Sequence, residues 1–336
     1  MSLRLAEVQS QTDWDSFILS HSPYALFQSW LWGDVQKRAG QSVYRFRLMD
    51  GETLVGTAQI FVVKAKRGTF LHVRHGPVFR QQRKQLWQDF FTALKPIVHS
   101  ERAWFVRVSP MIESTAENKE LVNELGLAPA PIHEVDAERC WVLDLNRTPE
   151  DILKDMRKTT RYEIRQGEKL GVQVRMSSDP EELKHFYRLY KETSKRHGFV
   201  AHTSITEEFE LFARDGKAQL FLGYAGSELM ASAIILFWGR QAIYHHGASL
   251  FSKIPVSYFV QWQAILEAKK RGMKLYNFYG IAPENSPNHP WRGITLFKKG
   301  FGGYEVNFIH AHDLPVSKWY ILPKTVETVR RKLRGY

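Results

Sequence analysis

The segments DGETLVGTAQIF (50–61) and AGSELMASAIIL (225–236) repeat one pattern of glycine, small and apolar residues at identical spacing. Each segment contains a turn glycine, Gly51 or Gly226, followed by the matching residues, and each comes after an upstream strand. An aromatic strand follows each segment, which predicts a β-meander with a glycine hairpin turn. An amphipathic helix and another short strand come next in both halves. The chain is therefore predicted to use one α/β unit twice.

Helical periodicity surrounds both meanders. The predicted helices cover 28–39, 82–99, 149–166, 180–197, 205–214, 256–271 and 316–334. The second half begins with a helix-start signal, in which Thr148 is the cap and Pro149 the first helical residue. We predict a first domain over 1–146, completed by a C-terminal helix at 315–336, and a second domain over 147–314.

The composition favours anionic partners, because the 336-residue chain carries a formal net charge of +12. The alternative is a soluble basic protein whose positive charge serves no anionic partner. The single cysteine, Cys140, excludes an internal disulfide, and no Cys/His cluster has the spacing of metal ligands, so no metal or cofactor is expected. The N-terminus lacks the apolar core of a signal peptide, and no run approaches the ~20 apolar residues of a membrane span. We expect a cytoplasmic protein with, at most, peripheral contact at the inner face of the membrane.

A basic stretch, KDMRKTTRYEIRQGEKLG (154–171), places Arg157, Lys158 and Arg161 on a predicted helix with few acidic neighbours. A solvated helix face is the usual explanation of such a run. The scarcity of acidic partners favours a surface that contacts nucleic-acid phosphates without reading base sequence.

The segment YNFYGIAPENSPNHPWRGITLFKKGFGGYEV (276–306) predicts a strand ending at Gly280, a long polar loop and a short helix with Phe297 and Lys298. Long polar loops inside compact domains are more often functional than decorative. The lysines of this helix could clamp an anion.

Several enzyme templates are missing from the sequence: it has no GxxxxGK[ST], GxSxG or HExxH motif and no GxGxxG that opens a helix. Acetyl-CoA acyltransferases are expected to show arginine or glutamine three residues before a GxG turn. The nearest candidate, Gly300-Phe301-Gly302, has Phe297 at that position. The sequence thus argues against the usual pyrophosphate loop for an acyl donor.

With these elements in order, the chain resembles the FemABX family of peptidoglycan aminoacyl transferases over nearly its whole length. The matching segments are SPYALFQSWLWGDVQKRAG, HGPV, MRKTTRYEIRQGEKLGV, FYRLYKETSKRHGF, AIYHHGAS, NFYGI and LFKKGFGG. The resemblance implies an α/β (α+β) fold with two GNAT-like acyltransferase domains, each a mostly antiparallel sheet flanked by helices. It also implies the short form of the family, without a coiled-coil arm.

The implied reaction moves an amino acid from aminoacyl-tRNA to the stem-peptide side-chain amine of a peptidoglycan precursor, which forms an interpeptide bridge. The precursor is either UDP-linked or lipid-linked, and no cofactor is implied. Two alternatives stay open. The first is a GNAT-type N-acyltransferase that uses acyl-CoA, and the second is a non-catalytic protein that binds RNA or anionic lipid.

The resemblance places precursor binding at Lys37, which matches a phosphate-binding lysine, and at His202, which stands where the family has an arginine. Tyr244 matches an aromatic residue of the precursor site, and His246 replaces a second tyrosine. The complete predicted precursor set is Lys37, Gly76, Trp104, His202, Tyr244 and His246.

For the other substrate, Phe297 and Lys298 match a pair that receives the terminal adenosine of tRNA and stabilises the reacting centre. Lys298 is the predicted catalytic residue. Arg157, Lys158 and Arg161 are predicted to contact tRNA together with Phe297.

The proposed general base of the family has no counterpart here, because Ser109 stands where some members have an aspartate. Glu113 is the nearest carboxylate along the sequence. Either the base lies elsewhere in the chain or no protein base is needed. We favour the second, since the aminoacyl ester is already activated and the amine can lose its proton to water or substrate.

Overall fold

The computed structural model of the chain describes residues 3–8, 10–133, 136–197, 202–284 and 286–334. The chain divides into two compact units. The first comprises Met1–Glu138 and Asn307–Tyr336, and the second comprises Arg139–Val306. Each unit is built around one sheet.

The first unit combines a sheet with helices from both ends of the chain. Its strands are β1 (Arg4–Glu7), β2 (Ser42–Asp50), β3 (Thr53–Ala65), β4 (Gly68–His75), β5 (Val78–Phe79), β6 (Phe105–Pro110), β7 (Ala128–Pro129) and β15 (His312–Pro315). Its helices are α1 (Gln11–His21), α2 (Trp30–Arg38), α3 (Lys84–Ala93), α4 (Lys95–Ser100), α5 (Ala116–Glu124) and α12 (Ile321–Leu333). The strand order is β1-β2-β3-β4-β6-β15-β7, with β5 beside β3, and β4 and β6 run parallel.

The second unit has a sheet of similar order. Its strands are β8 (Arg139–Asp144), β9 (Gln173–Ser177), β10 (Ala218–Ala225), β11 (Glu228–Trp238), β12 (Gln241–Ser249), β13 (Leu275–Gly280) and β14 (Tyr304–Asn307). Its helices are α6 (Pro149–Asp155), α7 (Lys158–Lys169), α8 (Leu183–His197), α9 (Ile205–Arg214), α10 (Val256–Lys270) and α11 (Arg292–Gly300). The strand order is β14-β8-β13-β12-β11-β10-β9, and β12 and β13 run parallel.

The two halves of the sequence exchange one strand each. β8 follows β7 along the chain but pairs with β13, in a register that joins Leu143 to Tyr276. β15 follows β14 but pairs with β6, in a register that joins Leu314 to Val106. The predicted boundary at 146/147 assigned β8 to the first domain, whereas its hydrogen bonds place it in the second sheet.

The hairpin turns occur where the repeat predicted them. Gly51 has φ 57° and Gly226 has φ 60°, and no atom would crowd a side chain at either position. Glycine is favoured at both positions by the backbone conformation and not by crowding. The two glycines therefore indicated the hairpin turns of both meanders.

The helix predicted at 149–166 is instead two helices. Thr148 caps α6 and Pro149 is its first residue, as predicted. The helix then stops because Met156 adopts an extended conformation with ψ 153° and the backbone N–H of Arg157 donates to Gly300 O at 2.9 Å. This tertiary hydrogen bond separates α6 from α7.

The cores lie between each sheet and its helices. In the second unit the fully buried residues include Phe221, Tyr276, Phe278 and Phe301. Its longest described helices, α8 and α10, have 15 residues each, which is too short for a coiled-coil arm. Among the described residues, no helix has both the length and the hydropathy needed to cross a membrane.

Candidate functional site

The sheet of the second unit opens between its two parallel strands. Parallel pairing joins Gln241–Ile243 to Leu275–Asn277 and then ends, whereas the pairing of β13 with β8 continues, after a register shift, to Gly280 and Cys140. In the first unit the corresponding pair stays joined from Phe70 to His75. Beyond Ile243 and Asn277, β12 and β13 therefore no longer hydrogen-bond to each other, and this gap between the strands can receive other groups.

Lys298 lies beside this opening, on α11. Its side chain is buried, with 8% of the residue exposed, and Nζ donates to Gly280 O at 2.5 Å. Burial lowers the pKa of Lys298 to about 8. An ammonium group that is charged at neutral pH yet shielded from water suits the stabilisation of a transient negative charge.

The backbone just before Gly280 is unusual. Tyr279 has φ 65°, a left-handed conformation that is uncommon for a residue with a large side chain. Its ring lies 5.3 Å from the ring of His245 on β12. The end of β13 therefore connects the lysine to the histidines of β12.

Phe297 precedes the lysine on α11 and is half-buried in an aromatic cluster. Its ring meets the rings of Tyr258 at 4.9 Å and Phe301 at 5.2 Å, both edge to face. The Arg157 side chain donates to Leu296 O at 3.3 Å. The structure thus brings Arg157 close to the Phe297–Lys298 pair.

The basic helix α7 presents a mixed stripe to solvent. Lys158, Tyr162, Arg165 and Lys169 are exposed at helical spacing, and Tyr162 is 58% exposed. Arg161 differs from these residues, because its guanidinium donates to two backbone carbonyls at the end of α6. It has a structural task in joining α6 to α7.

The predicted precursor residues of the second unit fall into two places. Tyr244 packs against α10 near Gln261, and burial raises its pKa to about 12. His246 lies near α8 and α9, with Nε2 3.4 Å from Glu208 Oε2, and its ring centre is 5.5 Å from that of His202. The structure groups His202 with His246 and places Tyr244 elsewhere.

In the first unit, packing accounts for two predicted precursor residues. A side chain at Gly76 would lie 2.6 Å from Gln28 Cδ, so the glycine permits close packing. Trp104 is half-buried, with its ring 6.2 Å from the ring of Trp319. Lys37, at the end of α2, is exposed and can reach a ligand in solution.

The carboxylate in contact with Ser109 is Asp136, whereas Glu113 is only the nearest one along the sequence. Ser109 Oγ donates to Asp136 Oδ2 at 2.6 Å, and Arg74 Nε donates to Oδ1 at 2.8 Å. Burial of Asp136 opposes ionisation, but Arg74 and His72 outweigh this effect and hold its pKa well below the usual range. A fully buried carboxylate with such a low pKa is a poor general base.

Two further features were not visible in the sequence. Glu208, His245 and His246 place three potential metal-ligand atoms within 4.8 Å of one another, although the spacing of histidines and cysteines had suggested no metal site. A pocket of about 240 Å³ lies beside α11 and is lined by Thr295, Leu296 and Lys299, among others, but not by Lys298.

The chain is similar to known proteins over nearly its whole length. The FemAB family model matches residues 9–126, 132–205 and 206–328. Lipid II:glycine glycyltransferase of Staphylococcus aureus (strain USA300) is 26% identical over an alignment of 400 positions, covering 95% of this chain and 94% of the relative. Since the alignment is longer than the 336-residue chain, the relative contains additional segments.

Solved structures share the fold. FemX superposes with a TM-score of 0.82 at 18% identity, covering 97% of this chain and 100% of FemX. A tandem GNAT protein from the clavulanic acid biosynthesis pathway gives 0.59 at 10% identity, covering 94% and 98% of the two chains. The predicted α/β class with two GNAT-like domains is confirmed. The chain belongs to the FemAB family.

Proposed function

We propose that this protein is an aminoacyltransferase that moves an amino acid from aminoacyl-tRNA to the stem-peptide side-chain amine of a peptidoglycan precursor. The observation that carries the proposal is the position of Lys298, a buried cation beside the open ends of β12 and β13 and next to the basic helix α7. The similarity to a Lipid II:glycine glycyltransferase over nearly the whole of both chains supports this substrate class.

In the proposed reaction the acceptor amine attacks the ester carbonyl of the aminoacyl-tRNA. A C–N bond forms, the C–O bond to the ribose breaks, and the amine proton leaves to water or to the departing ribose oxygen. Lys298 offsets the charge on the tetrahedral oxyanion or on the leaving oxygen. The accessible part of the Phe297 ring receives the terminal adenosine by stacking. Positioning of the two bound substrates can lower the activation free energy by a further ~7–11 kcal/mol.

The environment of Asp136 supports a mechanism that uses no protein base. The carboxylate beside Ser109 is already committed to Arg74 and His72. We propose that the activated ester and the orientation of the amine make a base unnecessary.

The experiment that tests the function offers the purified protein a set of charged tRNAs with UDP-linked or lipid-linked precursor, and acetyl-CoA in a parallel arm. Mass analysis of the precursor should show the addition of one or more aminoacyl residues only with charged tRNA. Acylation from acetyl-CoA instead would select the acyl-CoA alternative, and binding without turnover would select the non-catalytic one.

The charge of Lys298 predicts a pH dependence. Lys298 is protonated below its pKa of about 8 and neutral above it, so its electrostatic contribution disappears as the pH rises. The ratio of the wild-type rate to the Lys298→Ala rate should be constant up to pH ~7 and then fall by roughly tenfold per unit above pH ~8. Taking this ratio cancels the titration of the amine and the alkaline hydrolysis of the ester. A ratio that does not change between neutral and alkaline pH would argue against the role.

If the exposed basic residues of α7 bind tRNA, reversing their charge should raise the KM for aminoacyl-tRNA. The double substitution Lys158→Glu/Arg165→Glu should raise the KM for aminoacyl-tRNA several-fold with little change in kcat. A plot of log KM against log salt concentration should also become less steep, by roughly the amount expected for the loss of two phosphate contacts. Lys184→Glu/Lys191→Glu on α8 makes the same change of net charge at exposed positions and serves as the control. Equal effects of the two pairs would assign the result to net charge alone.

We also propose peripheral membrane contact through α12. This helix buries a charged residue and exposes most of its apolar ones. The inward residue Glu327 is held by Arg67 at 3.0 Å and by Arg107 at 2.8 Å. The exposed apolar residues on and just before the helix are Trp319, Ile321, Leu322, Val326, Val329 and Leu333. Basic residues lie among them at Lys324, Arg330, Arg331 and Lys332. Exposed apolar side chains with interspersed cations are typical of helices that lie on anionic lipid.

This membrane contact is tested by co-sedimentation with vesicles. The wild-type protein should bind vesicles that contain phosphatidylglycerol more strongly than purely zwitterionic ones, and Val329→Glu/Leu333→Glu should abolish most of the binding. Phe251→Glu removes an 88%-exposed apolar side chain of the second unit and should leave binding unchanged. Unaltered sedimentation of the α12 variant would contradict the proposal.

A further inference from the structure

Three side chains of the second unit converge on one point. Glu208 projects from α9, and His245 and His246 project from β12. Glu208 Oε2 lies 3.2 Å from His245 Nε2 and 3.4 Å from His246 Nε2. One potential ligand atom of each residue lies within 4.8 Å of the others.

A β-bulge explains how two consecutive strand residues reach the same carboxylate. Consecutive side chains of a regular strand point to opposite faces of the sheet. In β12, however, Tyr244 pairs with Ile235 and His246 pairs with Ile234, which leaves His245 as the extra residue. Bulges redirect side chains and are frequent at functional sites. The backbone is therefore shaped to bring both imidazoles together.

One of the two oxygens of this buried carboxylate is not satisfied by the described part of the chain. Glu208 is 3% exposed, and its Oε1 atom has no hydrogen-bond partner among the residues that the structure describes. A buried oxygen of this kind is costly and requires an explanation such as a bound ion. The ring centres of His245 and His246 are 4.4 Å apart, so one ion can lie within reach of both imidazoles and of the carboxylate. One divalent cation would neutralise the carboxylate and also bind imidazole nitrogens, which are ordinary metal ligands.

We propose that Glu208, His245 and His246 bind a divalent transition-metal ion, with Zn²⁺ as the best match. Two imidazole nitrogens and one carboxylate oxygen form a donor set that suits zinc rather than Mg²⁺ or Ca²⁺, which prefer oxygen ligands. Zinc bonds of ~2.0–2.2 Å in tetrahedral geometry place ligand atoms about 3.4 Å apart. The two distances to Glu208 Oε2, 3.2 and 3.4 Å, agree with this spacing.

Three protein ligands leave a coordination position open. The ring of His202 lies 5.5 Å from that of His246, and the ring of Tyr279 lies 5.3 Å from that of His245. Both neighbours are polar aromatic groups. The open position would therefore accept water or an anionic oxygen from a ligand.

The test uses the full-length protein without a polyhistidine tag, stripped of metal with a chelator. Titration with Zn²⁺ against a chromophoric zinc chelator should give one bound ion per chain, and His245→Ala/His246→Ala should remove this binding. Glu208→Gln should raise the zinc Kd at least about tenfold, since an amide is a weaker ligand. His185→Ala, which removes a surface histidine that lies 3.7 Å from Glu182, should bind zinc like the wild type.

A second measurement needs no variant. Zn²⁺ should raise the melting temperature of the stripped wild-type protein, whereas Mg²⁺ at the same concentration should not. Failure of the wild-type protein to bind zinc at micromolar concentrations would overturn the proposal, and so would unchanged stoichiometry in a folded His245→Ala/His246→Ala variant. Because both readouts omit tRNA and precursor, their failure is distinct from failure of the proposed transferase function.

Discussion

Replacing Lys298 with alanine should lower the rate of aminoacyl transfer by about 10²–10³-fold, the usual effect of removing one group that stabilises an oxyanion. The ammonium group lies in a buried position, where water screens it little, so its interaction with a developing negative charge is strong. The loss should appear in kcat, with little change in the KM for either substrate, because the charge develops only in the transition state. Single-turnover transfer from charged tRNA measures it.

The neighbouring lysine supplies the control. Lys299 lies 3.6 Å from Glu305 and 4.9 Å from the centre of the Trp141 ring, so it already has structural partners. Lys299→Ala should lower kcat far less than Lys298→Ala. Thermal melting of both variants separates a catalytic loss from unfolding, since Lys298→Ala also frees Gly280 O from its hydrogen bond. Transfer by folded Lys298→Ala within a few-fold of the wild type would refute the assignment.

The second prediction concerns β8, the strand that joins the sheet of the second unit, because removing it should prevent that unit from folding. A fragment of residues 139–306 should fold cooperatively, whereas a fragment of residues 147–314 should be expanded or insoluble. The second fragment lacks β8, which lies between β13 and β14 and contributes the buried residues Cys140, Val142 and Leu143. Without β8, the strand β13 becomes an unprotected edge and the core loses three apolar side chains.

Circular dichroism and thermal melting of the two fragments measure the difference. The fragments have identical lengths, so size does not explain a different outcome. A cooperative transition in 147–314 equal to that of 139–306 would show that the boundary predicted from sequence was the better one.

The sequence was sufficient for the meanders because their signal is local. Gly51 and Gly226 adopt positive φ, and an apolar strand segment follows each of them directly. The first helix, α1, also had a local signal that the sequence reading missed, since Ser10 caps it and Trp14, Phe17 and Ile18 form its buried face. The strand exchange had none, because β8 and β15 are short and only pairing decides which sheet they join.

The candidate site shows the same division between local and tertiary information. The helix with Phe297 and Lys298 was predicted, since its residues are consecutive. The approach of Glu208 to His245 and His246 depends on a bulge and on the packing of α9, which spacing along the chain does not reveal. Asp136 is likewise 27 positions from Ser109, and only the fold brings the two together.

The central claim is that an ester-linked amino acid leaves tRNA for a precursor amine. The most direct measurement follows a radiolabelled amino acid from charged tRNA into UDP-linked and lipid-linked precursors, with deacylated tRNA plus the free amino acid as the blank. We predict that the label enters at least one precursor as an amide resistant to mild alkali, and only when the tRNA is charged. Label that never leaves tRNA for either acceptor, across a complete set of charged tRNAs, would contradict it.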